Sequence, residues 1–325
     1  MANIPDSHPR KASLLARQSL VDAAAEGLLA ESAMIAHGRG EAFDYLLGEK
    51  TSGSARMAIR EMAARLIAAK NPVISVNGNT VILSGRDLIR VAAVVGCPIE
   101  VNLYYRTPKR VAGLLSRLEE QAEEVANGPV PDGWQGDWSA AVSSVRFLGS
   151  NPDDTIPGLE GPRSVCCSEG IGGADTVLVP LEDGDRCEAL VKLGKQVLVV
   201  DLNTLSRTAM TANVTVVDEV ARAASILLSE VVSGGVEPTD WDNTTALYDE
   251  LAVMARIRPI RRSALSTESH SARRLQCRPR SYWHLLPNHR SLRPPQRGAM
   301  PRLLRESHRR LWRPHHRDVH LGCPA

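Results

Sequence analysis

The sequence predicts an α/β fold of the doubly wound, Rossmann-like kind: a parallel sheet covered by helices, with an extra helical layer at the N-terminus. Three observations predict it. Apolar runs at residues 176–181 (TVLVPL), 196–200 (QVLVV) and 214–217 (VTVV) are continuous rather than alternating, as in strands buried on both faces. Helical stretches alternate with them, at 185–193, near 205–212 and at 218–232. A chain of 325 residues that is 43% hydrophobic can also bury one large core or two small ones.

In chain order, residues 11–30 put Leu14, Val21, Ala25 and Leu28 on one helical stripe, with Arg17 at its edge. A second helix is expected from Ser54, read as its N-cap, to Lys70, with Ile59, Met62 and Leu66 inward. Val73-Ile74-Ser75-Val76 reads as a strand. Ser84-Gly85-Arg86-Asp87 fits a capping box for a helix that turns Leu88, Val91, Ala92 and Val95 inward and ends at Gly96. Residues 100–105 read as another strand. Thr107-Pro108 pairs a cap with proline at the first position of a helix reaching Ala126. Residues 128–138 read as a loop and 145–148 as a strand.

The net charge of +2 conceals two unlike segments. Residues 256–325 hold 17 of the 39 basic residues, all of them Arg, and three of the 37 acidic ones, so they carry net +14 and residues 1–255 carry net −12. An acidic surface of that kind suits a salt-rich cytoplasm. Seven of the nine His and eight of the 20 Pro also fall in the last seventy residues, where no apolar period persists. That composition matches a GC-rich coding frame read out of phase, because GAC codons for Asp shifted by two bases become CGA for Arg. The domain reading is a catalytic body at 1–255 and a basic segment at 256–325 that does not pack, with stable fragments ending between about 232 and 260. A basic arm for nucleic acid is the alternative, and the complete absence of Lys argues against it.

Cys97, Cys166, Cys167, Cys187, Cys277 and Cys323 contain no CxxC pair, so neither a zinc site nor a disulfide framework is expected. No run of eighteen apolar residues occurs, and Met1-Ala2-Asn3-Ile4-Pro5-Asp6 lacks the basic and apolar regions of a secretory signal. A cytoplasmic protein without a membrane partner is expected.

In an open parallel sheet, ligands lie beyond the carboxyl ends of the strands. Four such ends are polar here: Asn77-Gly78-Asn79, Glu182-Asp183-Gly184-Asp185-Arg186, Asp201-Leu202-Asn203 and Asp218-Glu219-Val220. Asp218 is expected to cap its helix. Residues 37–44 (HGRGEAFD) set Arg39 between glycines, which reads either as a tight loop with a solvated arginine or as a phosphate contact. Glycine removes a Cβ that would hold a ligand away, and a guanidinium binds two phosphate oxygens at once. No GxxxxGK[ST] or GxGxxG follows a strand, which argues against a P-loop ATPase and an ordinary dinucleotide fold.

Ile4-Pro5 with Ser7-His8-Pro9-Arg10, and residues 35–46 (IAHGRGEAFDYL), 72–79 (PVISVNGN), 179–186 (VPLEDGDR) and 200–207 (VDLNTLSR), closely resemble the archaeal phosphopantothenate synthetases, also called 4-phosphopantoate–beta-alanine ligases. The resemblance spans about residues 3–233, with 128–143 looking like an insertion. It implies a homodimer that condenses 4-phosphopantoate with beta-alanine at the expense of ATP, releasing AMP and pyrophosphate through an acyl-adenylate, in coenzyme A biosynthesis. It also implies ATP contacts from Arg17, Arg39, Asp201, Leu202, Asn203, Arg207, Thr208, Glu219 and Val220. Asp201 would suit the ribose hydroxyls and the three arginines the phosphates. Asn77, Asn79, Glu182, Asp183, Gly184 and Arg186 are assigned to phosphopantoate, with Mg2+ nearby and its ligands left open. The base for the beta-alanine amine stays open among His37, Asp183 and Asp185. A non-catalytic nucleotide-binding module is the rival reading; it would bind ATP without releasing pyrophosphate.

Overall fold

The computed structural model describes residues 4–181 and 183–255. Its strands are β1 (Pro72–Val76), β2 (Ile99–Val101), β3 (Phe147–Leu148), β4 (Asp154–Thr155), β5 (Val165–Cys166), β6 (Thr176–Pro180), β7 (Gln196–Val200) and β8 (Val214–Val216). Six of them form one sheet in the order β3-β2-β1-β6-β7-β8, with every pair parallel, while β4 and β5 make a separate antiparallel pair. Counted among those six strands the order is 3-2-1-4-5-6, that of a doubly wound sheet. The winding reverses between β1 and β6.

The continuous apolar runs serve two cores, as a strand with helices on both faces requires. Ile74, Val76, Leu178, Leu198 and Val200 face the larger core, and Val73, Val177, Val179, Val197 and Val199 the smaller. The larger core takes side chains from α1 (Lys11–Ala25), α3 (Gly53–Ala68), α4 (Gly78–Val95), α5 (Pro108–Ala126) and α9 (Val220–Ser233). Cys187, Ala189 and Leu190 of α7 (Gly184–Lys192) fill the smaller one. The remaining helices are α2 (Glu31–Leu47), α6 (Trp138–Ser143), α8 (Arg207–Thr211) and α10 (Asn243–Ala255).

Several expectations need correction. Residues 37–44 are not a loop; they lie inside α2, whose flanking Ala, Met and Leu residues favour helix strongly enough to carry two glycines. Ser84-Gly85 does not open α4, because Asn77 caps it by accepting from Thr80 N (3.1 Å). Ser84 instead bonds back to Thr80 O (3.0 Å), and Gly85 makes room for Gln121 of α5, whose Oε1 would lie 2.1 Å from a Cβ there. Ser52, not Ser54, caps α3. The strand expected at 100–105 stops at Val101, where Asn102 turns its amide to Val165 O (2.9 Å). Only Phe147–Leu148 of 145–148 joins the sheet. Asp218 is not the cap of α9; Glu219 is, accepting from Ala221 N and Arg222 N (3.0 Å each). Thr107-Pro108 opens α5 as expected.

Helix α10 was not anticipated. Its Leu247 and Met254 pack with Leu47, Ala209 and Val217, and its buried Glu250 accepts hydrogen bonds from Ser52 and Ser54. These contacts extend the described fold to the far end of α10. The expected frameshifted segment 256–325, with Cys277 and Cys323, lies outside the described residues. Cys97, Cys166, Cys167 and Cys187 are buried, and burial pushes the first two thiols up to about 12 and Cys167 to about 11. Such thiols stay protonated and are not nucleophiles. Among the described residues no helix is long and apolar enough to cross a membrane.

Candidate active site

At the reversal point the ends of β1 and β6 are tied together. Asn77 Nδ2 donates to Leu181 O (2.9 Å), and Thr80 Oγ1 to Pro180 O (3.1 Å). Leu181 has φ 63°, a left-handed backbone that costs a non-glycine residue about 1 kcal/mol or more. The Asn77 amide on its carbonyl and its own N–H on Val200 O (3.2 Å) hold it there. Over this point lies a cleft of about 640 Å³, within the usual range for a small-molecule site. Helix α2 lines its other side. Asn79 Nδ2 anchors the start of α2 through Ala33 O (3.0 Å), and Gly40 brings α2 close to the turn after β7, where a Cβ would sit 3.4 Å from Leu202 Cδ1.

On the β7–β8 side the cleft carries Asp201, Leu202, Asn203, Thr208, Glu219 and Val220, as expected, with Ser206, Asp218 and Asp44 in addition. Burial pushes the Asp201 carboxyl up, against bonds from Ser206 Oγ and Asn203 N. Asp44 and Asp218, both buried, share the Arg222 guanidinium (2.5 and 2.6 Å), and Thr51 Oγ1 donates to Asp218 (2.6 Å). Burial alone would lower the Arg222 pKa; its bonds to the two aspartates raise it instead. This cluster fastens α2 to the start of α9.

His37 and Arg39 project from α2 along the cleft. Arg39 is exposed and makes no hydrogen bond or ion pair with another described residue, which leaves its guanidinium available to a ligand. His37 Nε2 is buried without a hydrogen-bond partner. An orphaned buried nitrogen costs free energy unless a ligand or water satisfies it.

On the β1–β2 side the lining consists of Asn77, Asn79, Tyr104, Tyr105, Arg110, Arg163 and Asp183. Arg163 is only 8% exposed, contacts Asn102 Oδ1 through Nε (3.4 Å) and pairs with Asp183. Arg110 donates to Tyr105 O (2.5 Å), while its Nε is buried without a partner.

Among the described residues, the remaining expected ones do not line the cleft. Arg17 donates to Glu41 (2.8 Å), which does line it, and the two hold each other charged: the Arg17 pKa rises, and the bonds from Arg17 and Ser13 outweigh burial to lower that of Glu41. Arg207 pairs with Asp185 at the rim. Arg186 is fully buried with Nη2 on Ser75 Oγ (2.9 Å), beneath the sheet end. Gly184 serves packing, because a Cβ there would meet Arg207 at 2.8 Å. Glu182 lies outside the described residues. Sequence reasoning missed Arg163, Arg110, Tyr104 and Tyr105. Arg110 lies in the first turn of a helix whose cap was legible, so it was reachable; Arg163 follows Gly161-Pro162 with no recognisable pattern around it.

Among the described residues no three His, Cys, Asp or Glu side chains gather as metal ligands. Such a lining fits a magnesium ion held mainly through phosphate oxygens and one or two carboxylates, not a protein cage.

A 3-2-1-4-5-6 sheet with a polar cleft over its reversal point defines a doubly wound α/β domain with a candidate small-molecule site. A sequence profile for the phosphopantothenate/pantothenate synthetases matches residues 54–260, and the chain belongs to that family. It is 44% identical over 223 residues to the 4-phosphopantoate–beta-alanine ligase of Thermococcus kodakarensis, covering 69% of this chain and 78% of that one. The enzyme of the same name from Methanosarcina mazei is 43% identical over 223 residues (69% and 79%), and that of Methanospirillum hungatei 42% over 248 residues (76% and 90%).

Proposed function

We propose that this chain is a 4-phosphopantoate–beta-alanine ligase of coenzyme A biosynthesis and that the cleft over the β1–β6 reversal is its active site. One observation carries the siting: the cleft crosses the reversal point, with a nucleotide-type lining on one side and a cationic lining on the other. ATP lies on the β7–β8 side. Asp201 and Asn203 take the ribose, Arg39 the phosphates, and Thr208 with the Glu219-Val220 main chain completes the subsite. The Glu219 carboxylate is already engaged by its own helix. Arg17 acts through Glu41, and Arg207 through the rim.

A carboxylate is a poor acyl donor at neutral pH, so activation must precede amide formation. The phosphopantoate carboxylate attacks the α-phosphorus of ATP, pyrophosphate leaves, and the beta-alanine amine then displaces AMP from the acyl-adenylate. A bound magnesium ion would supply positive charge against the phosphate oxygens, and Asp183 would be one of the cleft carboxylates able to hold it. The protein contributes positioning and charge stabilisation. His37 is the best-supported base for the amine: it lines the cleft with a free buried nitrogen, whereas Asp183 is paired with Arg163 and Asp185 with Arg207 outside the lining. The enzyme works in the cytoplasm as a homodimer.

The test is incubation with ATP, Mg2+, 4-phosphopantoate and beta-alanine. AMP and phosphopantothenate should appear together, and only with the complete mixture. ADP in place of AMP would overturn the adenylate route and leave ligation standing. Binding of ATP without any product would favour the nucleotide-binding module.

A further inference from the structure

We propose that Glu250 of α10 is a positioning residue for the nucleotide half of the cleft, acting through Thr51 and the cluster of Asp218, Arg222 and Asp44. Among the described residues none of α10 lines the cleft, so the helix can affect a ligand only through the groups it holds. The inference rests on the reading that ATP binds on the β7–β8 side.

Two routes lead from α10 to that side. The polar one starts at Glu250, which is 2% exposed and whose Oε1 accepts from the hydroxyls of Ser52 and Ser54 (2.5 Å for Ser54). Ser52 caps α3, its Oγ accepting in turn from Ala55 N (2.9 Å). One residue back, Thr51 Oγ1 donates to Asp218 Oδ2 (2.6 Å), 167 residues away. The other oxygen of Asp218 accepts from Glu219 N (2.8 Å) and from Arg222, whose Nη1 and Nη2 reach Asp44 on α2 (3.1 and 2.5 Å). Asp218, Glu219 and Asp44 all line the cleft, so a shift of the Ser52 cap is passed to both walls of its nucleotide half.

The second route is apolar. Leu247 and Met254 of α10 pack with Leu47, Ala209 and Val217, and Phe43 and Leu202 lie against the same cluster. Phe43 and Leu202 also line the cleft, one from α2 and one from the turn after β7. Both routes therefore end on the β7–β8 side and on α2.

The chemistry of Glu250 points to placement and not to packing. Its Oε2 is buried without a hydrogen-bond partner, and a bare buried oxygen costs free energy. Leucine would fill such a position more favourably. What leucine cannot do is hold two hydroxyls at one point beside Thr51.

The experiment uses the full chain and compares wild type with Glu250→Leu, Glu250→Gln, Thr51→Val and the double variant of Thr51→Val with Glu250→Leu, each checked by thermal melting. ATP affinity is read by equilibrium titration and both KM values by kinetics. Glu250→Leu should weaken ATP binding by about three- to tenfold, the span of changes that act through an intervening network, with KM for 4-phosphopantoate within about twofold. Glu250→Gln keeps an acceptor for the two hydroxyls and should restore ATP affinity to within about twofold of wild type. Thr51→Val removes one hydroxyl from a half-buried side chain and leaves α10 intact, so it decides the matter even if Glu250→Leu does not fold. It should weaken ATP by about threefold or more, the scale of one lost hydrogen bond. Because the two residues act along one route, the double variant should bind ATP no more weakly than the worse single variant, whereas independent sites would multiply their factors. Unchanged ATP affinity in Thr51→Val overturns the proposal, and so do multiplied factors in the double variant. A loss shared equally by both substrates, with a lower melting temperature, overturns it by giving Glu250 to the fold alone. A wild type that binds ATP but forms no AMP would instead count against the ligase reading, and the ATP titrations would still decide this one.

Discussion

The two sides of the cleft are built by different means. On the β7–β8 side most polar groups are fixed by neighbours a few residues away: Asn203 N on Asp201, Leu205 N on Asn203 Oδ1, Ala209 N on Ser206 Oγ, and Ala221 N and Arg222 N on Glu219. On the β1–β2 side they come from distant segments, with Arg163 on Asn102 (61 residues apart) and Asn77 on Leu181 (104 residues apart). A turn that carries its own hydrogen bonds can be read and moved as a motif, whereas a group held across the fold exists only when the whole sheet is assembled.

The Arg222 cluster is the exception on the first side, because it reaches 178 residues back to Asp44. Arg222→Ala should therefore give the largest effect, a stability loss of about 3 kcal/mol, since it strands the buried Asp218 and Asp44 without their counter-charge. Thermal or urea unfolding checks this, and KM for ATP should rise as α2 loosens. A loss under about 1 kcal/mol, the scale of a surface pair, would mean that this side depends on local bonds alone.

Arg39→Ala separates ligand contact from folding. The side chain is exposed and makes no bond to a described residue, so the melting temperature should hold while ATP binding or transition-state stabilisation weakens by about 1.5–3 kcal/mol. Unchanged kinetics would return Arg39 to solvent.

How much of this was legible follows the same division. The runs that became β6 and β7 and the Thr107-Pro108 start of α5 carry short-range signals and were read correctly in kind, while the cap after β8 was expected one residue early, on Asp218 and not Glu219. Gly38 and Gly40 misled because a glycine pair signals a turn, while in the fold Gly40 serves the approach of α2 to Leu202. Ser84-Gly85 misled for the same reason, with Gln121 as the unseen neighbour. Arg163 had no local signal at all, because its meaning comes from Asn102 and Asp183.

Asp201→Asn tests how the local side balances stability against function. Burial pushes the Asp201 carboxyl above its usual 3.8, so the folded state prefers the protonated form. Wild type is therefore spared this penalty below that pH and loses stability as pH rises through the window up to the raised value, beyond which the penalty is constant. The neutral variant escapes it. Its melting temperature should match wild type near pH 4 and be equal or higher at pH 7, while its affinity for ATP falls. A variant less stable at pH 7 than at pH 4, relative to wild type, would show that the bonds from Ser206 and Asn203 outweigh burial.

The smallest effect is expected from ending the chain after Ala255. The cut keeps α10, and with it Met254 in the core, Glu250 on Ser52 and Ser54, and Asn243 Oδ1 on Thr215 N (2.7 Å) beside the β8 end of the cleft. A cut before Asn243 removes all of these and should be strongly destabilising, so the pair of truncations brackets the folded body. What the cut after Ala255 removes carries net +14 against a body of net −12, an attraction that salt screens over about 10 Å at 0.1 M. If those arginines took any part in holding ATP phosphates, their loss would raise KM for ATP at low salt, and added salt would do the same to the full chain. We expect neither: kcat, KM for ATP and KM for 4-phosphopantoate should each stay within about twofold, the range of weak surface electrostatics, at both low and high salt. A larger change in KM for ATP alone would give the nucleotide side of the cleft a contribution from beyond residue 255. A matching change in both KM values with a lower melting temperature would assign that segment to the fold itself.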